Sequence, residues 1–366
     1  MLFKLSVKET SACLISHTLC IVKCGILYKE EETMVNVRGF VYRLHPKAAF
    51  VKLIWYGLFF LTLSFISVIF MVNSSPTVSY PYNMYKGYPL TVYDKPYNIN
   101  KTECKNDRVI IVVHSAITNF NKRDSIRKTW GNKALLQRYG MKLVFILGMP
   151  FNRDLQVLID AESTEHDDIV QGNFLDSYTN ITHKAVLWLR WVTENCPKAK
   201  TVLKLDDDVF VNVFSFHHYL PVFETPTNFD RHIWCEVIDI ETQRIQRKAG
   251  LKWRVAEHEL TGLTHYPLTF CRGYFVVLTA ESVKTMYRKA KETPFFWIDD
   301  FYIFGTLANK TGTRFSSLKF LADEQKAVEC FKSRKSLCEL MGVLLDSNSA
   351  MELLWKYTVQ QLNSFT

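Results

Sequence analysis

The sequence predicts an α/β protein, a mostly parallel sheet flanked by helices, with an N-terminal transmembrane helix. Three observations lead there. Apolar runs rich in β-branched residues alternate with helical stretches beyond residue 108, one twenty-residue run carries no charge, and three adjacent aspartates follow directly on one of the apolar runs. Composition agrees: 366 residues at 48% hydrophobic and 22% charged exclude a mainly disordered or fibrous chain. A net charge of +9 comes from scattered Lys and Arg with no dense basic block, so nucleic-acid binding is not expected.

In chain order, residues 1–52 read as a cytoplasmic tail. Within it, Ser11 to Leu27 is fairly apolar but interrupted by His17 and Lys23, and a second membrane segment there is an alternative. Met34 is an alternative start. Residues 53–72, LIWYGLFFLTLSFISVIFMV, would cover roughly 30 Å as a helix, the thickness of a bilayer core. Arg38, Arg43, Lys47 and Lys52 precede this run, and the next basic residue after it is Lys86. That asymmetry orients a single-pass chain with its N-terminus in the cytoplasm. A cleaved signal peptide fits less well, because the run is too long and begins about fifty residues in.

Cysteine usage fits the same topology. Cys13, Cys20 and Cys24 precede the span, whereas Cys104, Cys196, Cys235, Cys271, Cys330 and Cys338 form an even set in an expected oxidising lumen. Six cysteines permit fifteen pairings, and the sequence does not choose among them. Sequons at Asn100, Asn180 and Asn309 lie in the same portion, and a fourth at Asn73 abuts the membrane. Residues 73–107 are rich in Tyr, Pro and Asn without helical period and read as a stem.

The globular part is expected at 108–326. Arg108 to His114 (RVIIVVH) is the pattern of a strand buried on both faces. A helical segment from about Lys122 leads to a second buried strand, Lys142 to Leu147. From Tyr178 to Cys196, the residues Ile181, Ala185, Trp188 and Val192 fall on one helix face. Thr201 to Leu205 is a third strand, Gly273 to Leu278 a fourth, and Ala280 to Lys291 an amphipathic helix. Strands alternating with helices imply a sheet whose ligands collect at the strand ends. Residues 327–366 read as a C-terminal extension.

Asp206-Asp207-Asp208 stands at the end of the third strand. Adjacent carboxylates repel, and partial burial raises the cost unless a cation neutralises them. Alternate side chains of an extended segment share a face, so Asp206 and Asp208 can converge while Asp207 points away. Two hard oxygen ligands suit Mg²⁺ or Mn²⁺ bridging to phosphate; the plain alternative is an acidic surface turn. A second pair, Asp299-Asp300, opens a predicted helix toward Leu307, where it could cap the helix N-terminus or supply a general base. Arg123 and Arg127 lie four apart on one helix face and could make bidentate phosphate contacts or simply be solvated.

With those residues in view, the sequence resembles a known family. Residues 123–130, RDSIRKTW, are similar to the RxxIRxTW motif of the β-1,3-galactosyltransferase-like glycosyltransferases (glycosyltransferase family 31). Further matches follow in order: Phe145 to Gly148, Asp168-Ile169, Asn173 to Lys184, Lys204 to Val209, Lys252-Trp253, Tyr266-Pro267 with Cys271 to Tyr274, and Asp299 to Gly305. The resemblance spans about residues 108–310. It implies a GT-A fold, a Rossmann-like nucleotide-sugar-binding architecture, in a type II Golgi membrane enzyme with a lumenal catalytic domain.

The implied reaction moves galactose from UDP-galactose to a hydroxyl of an oligosaccharide acceptor on glycoprotein or glycolipid, with inversion. UDP-N-acetylglucosamine and UDP-N-acetylgalactosamine are alternative donors. By position, Asp206 and Asp208 would hold Mn²⁺ (Mg²⁺ the alternative), and Asp300 would be the catalytic base. Arg123, Arg127, Lys184 and Asp207 would belong to the donor site, with structural support an equal reading for Arg127 and Lys184. Trp130 and Trp253 read as core or pocket-wall aromatics. Partners would then be the donor, the acceptor and the lipid bilayer, with a homo-oligomer left open. The sequence departs from the family at Phe301, where Val is usual, and after Tyr266-Pro267, where only Gly273 remains of a Gly-rich segment. Two rivals are a haloacid-dehalogenase-type phosphatase, which also places DxD after a strand, and a non-catalytic membrane-tethered sugar-binding module.

Overall fold

A computed structural model describes residues 34–37, 40–43, 55, 57–62, 95–224, 231–333 and 336–365. The chain divides into two units, Met1–Tyr80 and Pro81–Thr366. The first contains an antiparallel pair, β1 (Met34–Val37) and β2 (Phe40–Arg43), and a helical stretch at 57–62. Most of the expected membrane span at 53–72 lies outside the described residues, as do Cys13, Cys20, Cys24 and the apolar stretch from Ser11 to Leu27. Trp55, Leu58, Phe59, Phe60 and Leu61 of that span are exposed. Among the described residues no helix is long and apolar enough to cross a membrane.

The second unit is built on a central sheet. Its parallel centre consists of β4 (Val109–His114), β5 (Met141–Met149), β6 (Ile169–Leu175) and β7 (Thr201–Asp206), with β4 between β5 and β7. Every residue of β4 is buried, as a strand covered on both faces requires. Its side chains alternate between two cores: Ile110 and Val112 join one cluster, whereas Val109, Ile111 and Val113 join the other. Between the strands run α1 (Phe120–Lys128), α2 (Lys133–Arg138), α3 (Arg153–His166) and α4 (Ile181–Asn195). Of the four residues expected on the inner face of α4, Ala185, Trp188 and Val192 are buried.

The sheet continues on both sides, and here the expectation of a mostly parallel sheet is corrected. Beyond β7 come β9 (His232–Ile238) and β10 (Phe270–Thr279), and β10 runs antiparallel to both β7 and β9. With β11 (Arg314–Ser317) parallel to β9, and β3 (Tyr97–Asn100) antiparallel to β6, the eight described strands make a mixed sheet. The reason lies in the connection. Residues 239–269 form no crossover helix, so the chain turns back beside β9 rather than crossing over the sheet. An apolar run carries no record of strand direction.

Both boundaries of the globular part also move. Strand β3 lies inside the expected stem, and the Cys104–Cys196 disulfide ties that segment to the end of α4. At the other end, the expected boundary at 326 falls within α8 (Glu324–Lys332), numbered after α5 (Val213–Phe223), α6 (Ala280–Ala290) and α7 (Asp299–Phe301). The C-terminal segment is part of the core. Strand β13 (Gly342–Leu344) pairs with β8 (Val209–Val211), β12 (Leu321–Asp323) pairs with β13, and α9 (Asn348–Phe365) buries Met351 and Leu354 in the second cluster. Two further disulfides, Cys235–Cys271 and Cys330–Cys338, complete the six-cysteine set.

Candidate active site

The C-terminal edge of the parallel strands gathers the acidic residues. Register puts His114 of β4 beside Asp206 of β7. Strand β7 ends at Asp206, and Asp207-Asp208 form a turn rather than the expected extended backbone, yet Asp206 and Asp208 line one cleft of about 420 Å³. Asp207 is turned inward. It accepts hydrogen bonds from Ser115 Oγ (2.7 Å), Asn119 Nδ2 (2.8 Å) and Lys122 Nζ (3.0 Å), fastening the start of α1 to the end of β7. The donor contact expected of Asp207 is therefore corrected, since its carboxylate is committed to three protein donors.

Lys204 interrupts an otherwise apolar strand two residues before Asp206, so the two side chains share a face. Its Nζ is buried and donates to Asp206 Oδ1 (2.7 Å) and to the Gly273 carbonyl (2.8 Å). Burial would lower the lysine's pKa, but the charges of Asp206, Asp299 and Asp300 outweigh it and hold the ammonium charged. On Asp208, burial and the Asp206 charge raise the carboxyl, with Lys122 at 3.6 Å acting against them.

Across the cleft, Asp299 and Asp300 begin α7, which passes into a π-helical stretch, Tyr302–Leu307. Neither acts as the expected N-cap: that position is Ile298, and no side chain caps the helix. Asp300 instead accepts a hydrogen bond from the Gly273 backbone N–H (2.9 Å). The fit is tight, because a Cβ at Gly273 would collide with Asp300 Oδ1 and force that carboxylate to shift. Gly273 therefore offers its carbonyl to Lys204 and its N–H to Asp300, and one residue links the two acidic groups. Burial, reinforced by the neighbouring Asp299 charge and partly offset by Lys204, pushes the Asp300 carboxyl up to about 8. Asp299 is also raised by burial.

The arginines occupy a different place from the one the motif suggests. Arg123 is fully buried and pairs with Glu162 through Nε (2.8 Å) and Nη2 (2.6 Å). Arg127 makes a two-pronged contact with Asp168 (2.8 Å each) and a third with Glu162 (2.7 Å). Lys184 is buried and donates to the Ser115 carbonyl (2.6 Å) and to Asp176 (3.1 Å). These cations bind α1, α3 and the strand ends to one another, which is the structural-support reading offered for Arg127 and Lys184, and Arg123 shares it. Trp130 is core and donates to Met351 Sδ (3.2 Å), whereas Trp253 lines the cleft beside Tyr178, with ring centroids 4.8 Å apart.

Three groups at this edge escaped the sequence reading. Lys204 carried a signal, a lone cation inside an apolar strand. Lys122 looked like one more helix-surface lysine. His114 looked like the last residue of a strand, yet it is buried, and neither ring nitrogen has a hydrogen-bond partner among the described residues. Its Nδ1 stands 3.8 Å from Asp299 Oδ2, and burial together with Lys204 and Lys184 keeps the imidazole neutral. Among the described residues no group of three or more His, Cys, Asp or Glu converges on a single point. Asp206 and Asp208 are thus a two-carboxylate set, which fits a hard cation that completes its shell with phosphate oxygens and water.

Residues 121–319 match the galactosyltransferase family. Human beta-1,3-galactosyltransferase 9 is 30% identical over 216 residues, covering 57% of this chain and 56% of that protein. Human beta-1,3-galactosyltransferase 5 is 29% identical over 58% of this chain and 68% of its own length. Mouse N-acetyllactosaminide beta-1,3-N-acetylglucosaminyltransferase 2 is 28% identical over 71% of this chain and 63% of its own. The chain thus spans just over half the length of the first of these relatives. Among solved structures, a glycosyltransferase involved in glycosylation of the major capsid of PBCV-1 superposes with a TM-score of 0.37 at 10% identity, over 67% of this chain and 98% of that one.

Proposed function

The chain belongs to the galactosyltransferase family, and on that premise we propose that it is a UDP-sugar-dependent hexosyltransferase that glycosylates an acceptor hydroxyl with inversion. The observation that carries the proposal is Asp300: a half-buried carboxyl pushed up to about 8, seated by the Gly273 N–H in the cleft that Asp206 and Asp208 also line. A carboxylate destabilised by burial is a stronger base than an exposed one, which suits it to take a proton from a weakly acidic hydroxyl. The acceptor O–H would give its proton to Asp300 as the oxygen bonds to C1 of the sugar. The C1–oxygen bond to the diphosphate breaks, and its electron pair leaves with UDP. A divalent cation held by Asp206 and Asp208, Mn²⁺ or Mg²⁺, would supply Lewis-acid neutralisation of the leaving diphosphate.

Around that chemistry the protein's own groups have distinct tasks. Lys204 fixes Asp206 and the Gly273 peptide together, so the base and the cation-facing carboxylate keep a constant separation. Asp207 holds the start of α1 against β7. Trp253, with Tyr178 beside it, offers an aromatic wall for a pyranose face. The preferred donor is UDP-galactose forming a β-1,3 bond, with UDP-N-acetylglucosamine or UDP-N-acetylgalactosamine as the alternative. The architecture is read as GT-A. Membership of the Golgi membrane as a type II protein, acting on glycoprotein or glycolipid glycans, is supported by the uncharged run at 53–72 and by three disulfides suited to an oxidising lumen.

The test is a donor screen of the full chain in detergent with the three UDP-sugars and Mn²⁺, followed by NMR linkage analysis of the product. Consumption of one donor with a new β-1,3 linkage is expected. A folded protein that consumes none of them overturns the reading.

A further inference from the structure

Two lysines serve the acidic turn after β7, and they differ in freedom. Lys204 is buried, with its ammonium bound to Asp206 Oδ1 and the Gly273 carbonyl. Lys122, in the first turn of α1, is about a quarter exposed (24%). Its Nζ is anchored 3.0 Å from Asp207 Oδ1 and reaches Asp208 Oδ2 at 3.6 Å. Asp207 is buried and held by two other donors, whereas the Asp208 side chain is 42% exposed. One contact of Lys122 is therefore fixed and the other is loose. Lys122 and Asp208 also border a second hollow of about 280 Å³, together with Ser125, Asp346 and Ser347.

We propose that Lys122 couples cation binding to donor binding. It neutralises Asp208 in the free protein and passes that contact to a phosphate oxygen of the nucleotide diphosphate, keeping Asp207 throughout. This deepens the donor-site reading above and rests on it. The oxygen Lys122 approaches, Asp208 Oδ2, is one of the few a divalent cation could use. An ammonium and a divalent cation sharing a single carboxylate repel each other, and a diphosphate placed between them relieves that repulsion. A lysine on a flexible four-carbon stem can make the exchange, which a guanidinium locked in a bidentate fork could not. Linkage then makes the effect reciprocal: the factor by which UDP tightens the cation is the factor by which the cation tightens UDP.

The experiment titrates Mn²⁺ into the full chain, reading free Mn²⁺ by electron paramagnetic resonance, without and with saturating UDP. Wild type, Lys122→Met and Lys122→Arg are compared, with the thermal midpoint as a check on folding. In Lys122→Met, Mn²⁺ alone should bind about two- to fivefold more tightly, the scale of a half-exposed ion pair removed. UDP should bind about tenfold more weakly, through loss of a charge-assisted contact. Lys122→Arg should keep most of the coupling. Opposite signs in one variant are the signature, because general damage to the site would weaken both ligands. Unchanged or weaker Mn²⁺ binding in Lys122→Met, or a coupling factor equal to that of wild type, overturns the role of Lys122 while leaving the donor site standing. A wild-type chain whose Mn²⁺ binding ignores UDP overturns the donor-site reading and this proposal together.

Discussion

Two acidic regions face one cleft, and they handle charge in opposite ways. At the end of β7, Asp206 and Asp208 are each about two-fifths exposed and each has a lysine counter-ion. At the start of α7, Asp299 is buried and Asp300 half-buried, and Asp300 is held by a backbone N–H rather than by a cation. The first arrangement keeps negative charge available to a cation from solution. The second makes negative charge costly, so the carboxyl grips a proton. Identical side chains thus acquire separate roles from their surroundings alone, as in other sites where paired carboxylates divide acid–base work.

The sharpest way to break this comparison is to neutralise each region separately. Asp300→Asn should lower transfer by about 10²- to 10⁴-fold while Mn²⁺-dependent UDP binding survives. The double variant Asp206→Asn with Asp208→Asn should lose both. Isothermal titration with UDP and Mn²⁺, run beside the transfer assay, separates these outcomes; loss of UDP binding in Asp300→Asn would merge the two regions into one. Next in size is Gly273→Ala, whose methyl would collide with Asp300 Oδ1. Displacing the base by about 1 Å should cost about 10²-fold in kcat with little change in donor KM. Full activity in Gly273→Ala would remove the seat from the argument.

A smaller effect, on pH dependence, sharpens the contrast. Asp300 is raised from the ordinary carboxylate range to about 8 in the folded chain. Between those two values the folded state binds the proton and the unfolded state releases it. Stability from this group is therefore full below about pH 4 and is lost as pH rises through about 8, and Asp299 adds in the same direction. In the cation-free protein the thermal midpoint should fall across that window, and Asp300→Asn should flatten the fall. Activity runs the other way, since only the deprotonated group can accept a proton. The acid limb of kcat/KM should lie below 8 when Mn²⁺ is bound, because a nearby positive charge favours the carboxylate. A flat midpoint from pH 5 to 8.5 in the wild type would mean Asp300 is not held as described.

Much of this was readable in the sequence, for definable reasons. Strands β4, β5 and β7 announce themselves because both faces are buried and each is a largely apolar run, broken in β7 by Lys204. Asp206 and Asp208 are legible because three adjacent carboxylates directly after an apolar strand call for a cation, although a turn rather than strand alternation brings the two to one cleft. What escaped depended on distant partners. The four-residue spacing of Arg123 and Arg127 is equally that of a phosphate clamp, and only Glu162 and Asp168, 35 to 41 positions further on, reveal the arginines as internal. Asp300 was found through the family motif, but its seat required knowing that β10 runs antiparallel beside β7. The segment after 326 read as an extension because it lies beyond the family resemblance, yet β13 joins the strand that follows the aspartates. The Leu345 N–H donates to the Asp208 carbonyl (2.9 Å), so this segment fixes the backbone of the cation-facing turn.

The arginine cluster supplies the contrast's control, and there the smallest change in activity is expected. Arg123 and Arg127 carry charge close to the acidic edge, but the bonds they make close on Glu162, Asp168, the Ser115 hydroxyl or a backbone carbonyl. Arg127→Lys keeps the charge and removes the fork, since an ammonium cannot hold Asp168 at two points and Glu162 at a third. The stability lost should be about 1–3 kcal/mol, the cost of leaving partly buried acceptors short of a donor, and it should appear as a lower midpoint in urea. Donor KM should stay within about twofold of wild type, because uniform binding to the donor would be untouched. A KM raised tenfold or more at unchanged stability would return Arg127 to the donor pocket and dissolve the division between cations that hold the fold and cations that serve the cleft.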